Sequence, residues 1–179
     1  MARRRLDAVA PDLEPELMAL YAEVDEVYAG FSCPASTECC RFGVTGREPY
    51  VTSIELSLVK RAAARVGKPI TGPDAVSKRG LPVFSDPSER VGPTTKNHDE
   101  RPCPMLDGAG HCSVYAHRPL GCRTYYCDRA TKASKVRHSQ INDFVRRLKD
   151  LAARHEPGGE EGRPFVRALG LSGRRTRSG

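Results

Sequence analysis

The 179-residue chain lacks tryptophan, and aromatic residues make up only 6% of it against 39% hydrophobic residues overall. It can therefore bury a modest core, and a fold of this kind gains from a metal or covalent staple. No apolar run approaches the roughly 18 residues of a membrane span. The opening MARRRLDAVAPDLEP meets charge and proline before a secretory core could form, so the reading is of a soluble, cytoplasmic chain with no membrane partner. Also missing are a glycine-rich nucleotide loop, an internal repeat and a heptad array.

Positive charge is present in excess, at +7, but it sits at the ends. Arg3, Arg4 and Arg5, with Arg163, Arg167, Arg174, Arg175 and Arg177, account for eight basic residues among no acids, leaving 21 basic against 22 acidic residues between them. A near-neutral body without an aromatic stacking platform limits nucleic acid to non-specific contact through the arginine-rich ends.

Periodicity predicts three helices. Leu17, Leu20, Tyr21, Val24, Val27, Tyr28 and Phe31 recur at three and four, with Gly30 as a stop. Thr52 and Glu55 form a capping box ahead of Leu58, Val59, Ala62 and Val66, and Gly67 with Pro69 ends that helix. Ile141, Phe144, Val145, Leu148, Leu151 and Ala152 give the third, closed by Pro157, Gly158 and Gly159. Between them, residues 67–102 carry six prolines and read as loop, with a short extended piece at 81–84. The expected fold is mainly α, a small irregular helical domain with long loops over residues 11–156. A disordered basic segment (1–10) precedes it and a flexible basic tail (157–179) follows.

Seven cysteines stand out against this background: Cys33, Cys39 and Cys40 before the second helix, then Cys103, Cys112, Cys122 and Cys127 after the long loop. An odd number of thiols in a reducing compartment argues for metal ligation or redox chemistry over a disulfide framework. A metal held between the two clusters would close a loop of some sixty residues, where such a clip helps most. Four thiolates around zinc or an iron–sulfur core leave negative charge that Arg41, Arg118 and Arg123 are placed in sequence to offset, and Gly108, Gly110 and Gly121 free the backbone to turn N–H groups toward sulfur.

Paired zinc knuckles are scarce, since only Cys122 and Cys127 have the C-x4-C spacing, and the ferredoxin run C-x2-C-x2-C-x3-C-P is absent. Adjacent Cys39 and Cys40 tend to diverge, which suits a polynuclear cluster or two sites better than one ion. An iron–sulfur cluster is preferred over Zn2+. His98, His111 and His117 lie close enough in sequence to complete a site, whereas His138 and His155 read as surface residues of the third helix.

CPASTECC followed by TSIE, and later CPML…HCSVYAHRPLGCRTYYC, resembles the YkgJ-like cysteine-cluster proteins, the CxxCxxCC zinc- or iron-chelating domain. Cys33, Cys39 and Cys40 match the first motif of that family. Cys103-Pro104, Cys112, Tyr115, Arg118-Pro119 and Cys122-Arg123 match the second. Ser36 replaces one motif cysteine, and Val114 replaces an isoleucine. The resemblance implies thiolate metal chelation without a settled reaction. It ranks Cys39, Cys40, Cys112 and Cys122 first, then Cys33 and Cys103, with Cys127 raised by the loss at Ser36. Two other classes stay open: an enzyme related to flagellin lysine N-methylases, which carry a similar cluster, and a metal-stapled nucleic-acid or protein-binding module. No residue is singled out as catalytic.

Overall fold

The computed structural model describes residues 13–28, 38–68, 101–124 and 136–171. The expected extended piece at 81–84 lies outside them, as do Gly30, Phe31, Cys33, Ser36, His98 and Cys127.

Helices carry most of the described structure. Helix α1 spans Leu13–Val27, and its three-and-four spacing buries Leu13, Leu17, Leu20, Tyr21 and Val24 on one face. A second long helix, α5, spans His138–His155 and packs on it through Phe144, Leu148, Leu151 and Ala152. Val145, expected on the buried stripe, faces outward at 37% exposure because it falls one position beyond the seam. Arg147 clamps Glu23 bidentately at 2.6 and 2.7 Å, and Arg154 clamps Glu16 through two bonds of 2.7 Å. These pairs run the two helices antiparallel.

Helix α3, Ser53–Arg65, lies between two cores. Ile54 and Leu58 join the α1–α5 core, while Leu56, Val59, Ala62 and Ala63 turn to a second core with Phe42, Val51, Met105, Val114, Phe165 and Leu169. Burial on both sides follows from apolar residues spread around the helix rather than along one stripe. Glu55 reaches back to accept the Thr52 N–H at 2.9 Å, as the capping box requires. Gly67, with φ at +69°, ends the helix in the left-handed conformation that glycine tolerates. Val66, counted among the buried face from sequence, is 53% exposed at this C-terminus.

Within residues 157–171, which the sequence reading placed in a flexible tail, Phe165 and Leu169 are buried in the second core and Val166, Ala168 and Leu171 pack against it. β1 (Tyr50–Val51) pairs antiparallel with β2 (Arg163–Pro164), and the short helix α6, Phe165–Ala168, follows directly. Phe165 is 1% exposed, and its N–H donates to the Pro49 carbonyl at 2.9 Å. The Pro157, Gly158 and Gly159 stop ends α5 but turns the chain inward: a Cβ on Gly159 would stand 2.3 Å from Ser53 Oγ, so only glycine fits. His155, read from sequence as a surface residue, is half-buried, with Nδ1 2.9 Å from Ser53 Oγ.

Candidate metal centre

Short backbone pieces bring the two cysteine clusters together. Glu38–Cys40 form a single 3-10 turn leading into α2, Phe42–Thr45. Across from them, residues 101–103 run antiparallel. The Cys103 N–H donates to the Cys40 carbonyl at 2.6 Å and the Phe42 N–H to Arg101 at 3.1 Å, with Arg41 bridged to Pro102. Arg101 takes a φ of +39°, a left-handed turn uncommon for a side-chain-bearing residue, immediately before this pairing. Backbone hydrogen bonds thus join the two ends of the long loop, and Cys103 and Cys112 pack on the second core.

From Cys103 the chain makes a tight reversal. Asp107 Oδ1 accepts the Ala109 and His111 N–H groups, and Leu106 is bridged to Cys112. The Cys103 sulfur receives backbone N–H groups of Met105 and Leu106, and the Cys112 sulfur receives that of Val114. Both cysteines therefore offer a sulfur to the N–H two residues on, an arrangement that favours the thiolate. A 3-10 turn at Tyr115–His117 then leads to α4, Leu120–Thr124, which carries Cys122.

Five of the cysteines, Cys39, Cys40, Cys103, Cys112 and Cys122, lie among the described residues and are partly buried. Their electrostatics are mutual. Contact with Cys39, then burial, then Cys103 and Cys122 push the Cys40 thiol far up. Burial pushes Cys103 up to about 12, against the pull of its two N–H donors, with Cys112 and Cys39 adding to the rise. Burial raises Cys122 well above the ordinary thiol range, reinforced by Cys103, Cys112, Cys39 and Glu55. Cys112 is also raised by burial, while the Val114 N–H, Arg118 and Lys68 act to lower it. Each of these groups disfavours a second negative charge nearby, and a cation among them would reverse that preference.

Cys39 and Cys40 converge instead of diverging: their sulfurs stand 3.8 Å apart. Two sulfurs on one tetrahedral ion, each at about 2.3 Å, are separated by about 3.8 Å. Among the described residues, no group of three His, Cys, Asp or Glu side chains is drawn together as a formed ion-binding set. The donor chemistry is nonetheless that of a soft metal, because the groups in electrostatic contact are sulfur with N–H donors behind them.

The arginines divide. Arg118 stacks on the Tyr115 ring at 3.9 Å, reaches Asp25 at 3.4 Å, and places its charge where it acts on Cys112. Arg123 is buried and spends its donors elsewhere, on the Arg118 carbonyl at 3.0 Å, on the Ala116 carbonyl at 2.6 Å and on Asp25. It also lies over the Tyr21 ring at 4.2 Å. Arg41 is partly buried and follows the cysteine turn directly, its carbonyl accepting from Val44 and Thr45. His111 is exposed, and its backbone is tied to Asp107. Sequence reasoning missed Lys68, whose Nζ donates to the Leu106 carbonyl at 3.1 Å beside Cys112; a lysine just past a helix end carries no motif.

A family model described as "Putative zinc- or iron-chelating domain", CxxCxxCC, matches residues 32–141, more than half the chain. The chain belongs to this CxxCxxCC family. The matched span encloses both cysteine clusters and α3 between them. No curated protein and no solved structure matches the chain. In this CxxCxxCC chain, no helix among the described residues is long and apolar enough to cross a membrane.

Proposed function

We propose that the protein chelates a thiophilic metal through sulfurs from both clusters, as iron in an iron–sulfur cluster in preference to zinc. Cys39, Cys40, Cys103, Cys112 and Cys122 are the described donors, and Cys33 and Cys127 are further candidates by sequence. The observation that carries this reading is the backbone pairing that sets the two clusters side by side: the Cys103 N–H donates to the Cys40 carbonyl at 2.6 Å, and the Cys40 sulfur stands 3.8 Å from that of Cys39. Bound there, a metal would supply Lewis acidity or electron-transfer capacity. The protein's own part is to hold the sulfurs, bring Arg118 and Lys68 charge to Cys112, and aim the Met105, Leu106 and Val114 N–H groups.

The two clusters hold seven cysteines, more than one tetrahedral ion needs, which favours a polynuclear centre or two sites over a single zinc. Anaerobic purification with metal and acid-labile sulfide analysis tests this. Iron and sulfide in the wild type, with content lost in both Cys103→Ser and Cys122→Ser, is the expected outcome. Folded, monodisperse, metal-free protein would refute chelation, and zinc without sulfide would refute the preference for iron.

A further inference from the structure

Behind Cys122 lies a carboxylate to which sequence reasoning gave no part in the site. Glu55 is 1% exposed, and both of its oxygens are committed. Oε2 accepts the Thr52 N–H and the Thr52 hydroxyl, each at 2.9 Å, which caps α3. Oε1 accepts the Tyr21 hydroxyl at 3.1 Å and, at 2.7 Å, the backbone N–H of Leu120, 65 residues away. Leu120 is the first residue of α4, two before Cys122. One side chain therefore joins three elements: it caps its own helix, bonds α1, and fixes the residue at which the cysteine-bearing helix begins. An ordinary capping box needs only the Thr52 half. A second bond to Leu120 serves the position of α4, because a five-residue helix has little cohesion of its own.

We infer that Glu55 is a positioning residue for Cys122, setting through the Leu120 N–H the place of that sulfur in the centre. The part concerning metal affinity rests on the chelation reading above; the part concerning the Cys122 sulfur stands without it. Glu55→Gln keeps the size but presents an NH2 where donors already point on both sides, so one of the two caps is lost. Thr52→Val disturbs the α3 cap alone and serves as the control.

The experiment has two arms, on the full chain. In the first, metal-free reduced protein is alkylated, and each cysteine's rate is followed by mass spectrometry. Glu55→Gln is expected to change the Cys122 rate about tenfold, with Cys103 and Cys112 within about twofold, and Thr52→Val to leave all three near wild type, in keeping with the usual effect of losing a partner behind a ligand. In the second, Fe2+ or Zn2+ affinity is measured by chelator competition. Glu55→Gln is expected to weaken binding about tenfold in the wild-type background and less than twofold in Cys122→Ser. Should Glu55→Gln not fold, Tyr21→Phe removes the other donor to Oε1 and is expected to give a smaller change in the same direction, selective for Cys122.

A uniform rate change at all cysteines, or none at Cys122, would overturn the inference even if metal binds normally. A Cys122-selective change that Tyr21→Phe shares, with the Glu55 charge still in place, in a protein that binds no metal would leave the positioning role standing and remove the chelation reading. Equal loss of affinity in the wild-type and Cys122→Ser backgrounds would reduce Glu55 to a general stabiliser.

Discussion

The α1–α5 half and the cysteine half of the molecule are held by different means. In the first, two long helices meet along apolar faces, and the Arg147–Glu23 and Arg154–Glu16 pairs line the seam. In the second, Phe42, Met105, Val114 and Phe165 come from short, irregular pieces whose backbone groups bond one another, and Cys103 and Cys112 pack on that surface. Helix α3 serves both, with opposite sides in the two cores. The difference teaches where local pattern is enough to build structure and where distant backbone contacts have to finish it.

If the second core depends on its C-terminal piece, Phe165→Ala should be the costliest substitution, losing about 4 kcal/mol. Urea unfolding would measure it, and a loss under 1 kcal/mol would return residues 163–171 to the status of a tail. Leu17→Ala in the helical core should cost about 3 kcal/mol while leaving metal content per folded molecule unchanged. A drop in that content would erase the distinction between the halves. Arg123→Met, which strips Asp25 and two carbonyls of a buried donor, should cost about 2 kcal/mol and loosen the 116–118 turn. Hydrogen exchange localised to the cysteine half would check it.

The smallest effect concerns acid. Glu16 and Glu23 are held below the ordinary carboxylate value of 4.5 chiefly by Arg154 and Arg147, and Asp107 below 3.8 chiefly by the His111 N–H. The unfolded chain therefore binds protons first as pH falls, so their contribution is complete above about 4.5 and fades below it. Because these groups are exposed, the change should be slight, and Arg154→Gln should flatten it further. Thermal unfolding between pH 6 and pH 3 would register the difference.

The long helices and the capping box were readable because spacing alone places Leu17, Leu20, Tyr21 and Val24 on one face and Glu55 three residues after Thr52. Family membership was readable from the cysteine, proline and arginine pattern. Other features were not. The inward turn after Gly159 depends on a close approach to Ser53, a residue a hundred positions away that no local pattern announces. Arg123 sits in a motif suited to balancing thiolate charge, yet carbonyls brought near by the fold claim its donors. That N–H groups would turn toward sulfur was readable from the glycines, one of which, Gly110, takes a φ of +81°, but which N–H groups do so, those of Met105, Leu106 and Val114, was not.

X-ray absorption at the metal edge of anaerobically prepared protein tests the central claim most directly. A first shell of about four sulfurs near 2.3 Å, reduced in both Cys40→Ser and Cys103→Ser, is the result expected if sulfurs from the two clusters share one centre. A shell dominated by oxygen or nitrogen, or one unaltered by either substitution, would contradict it.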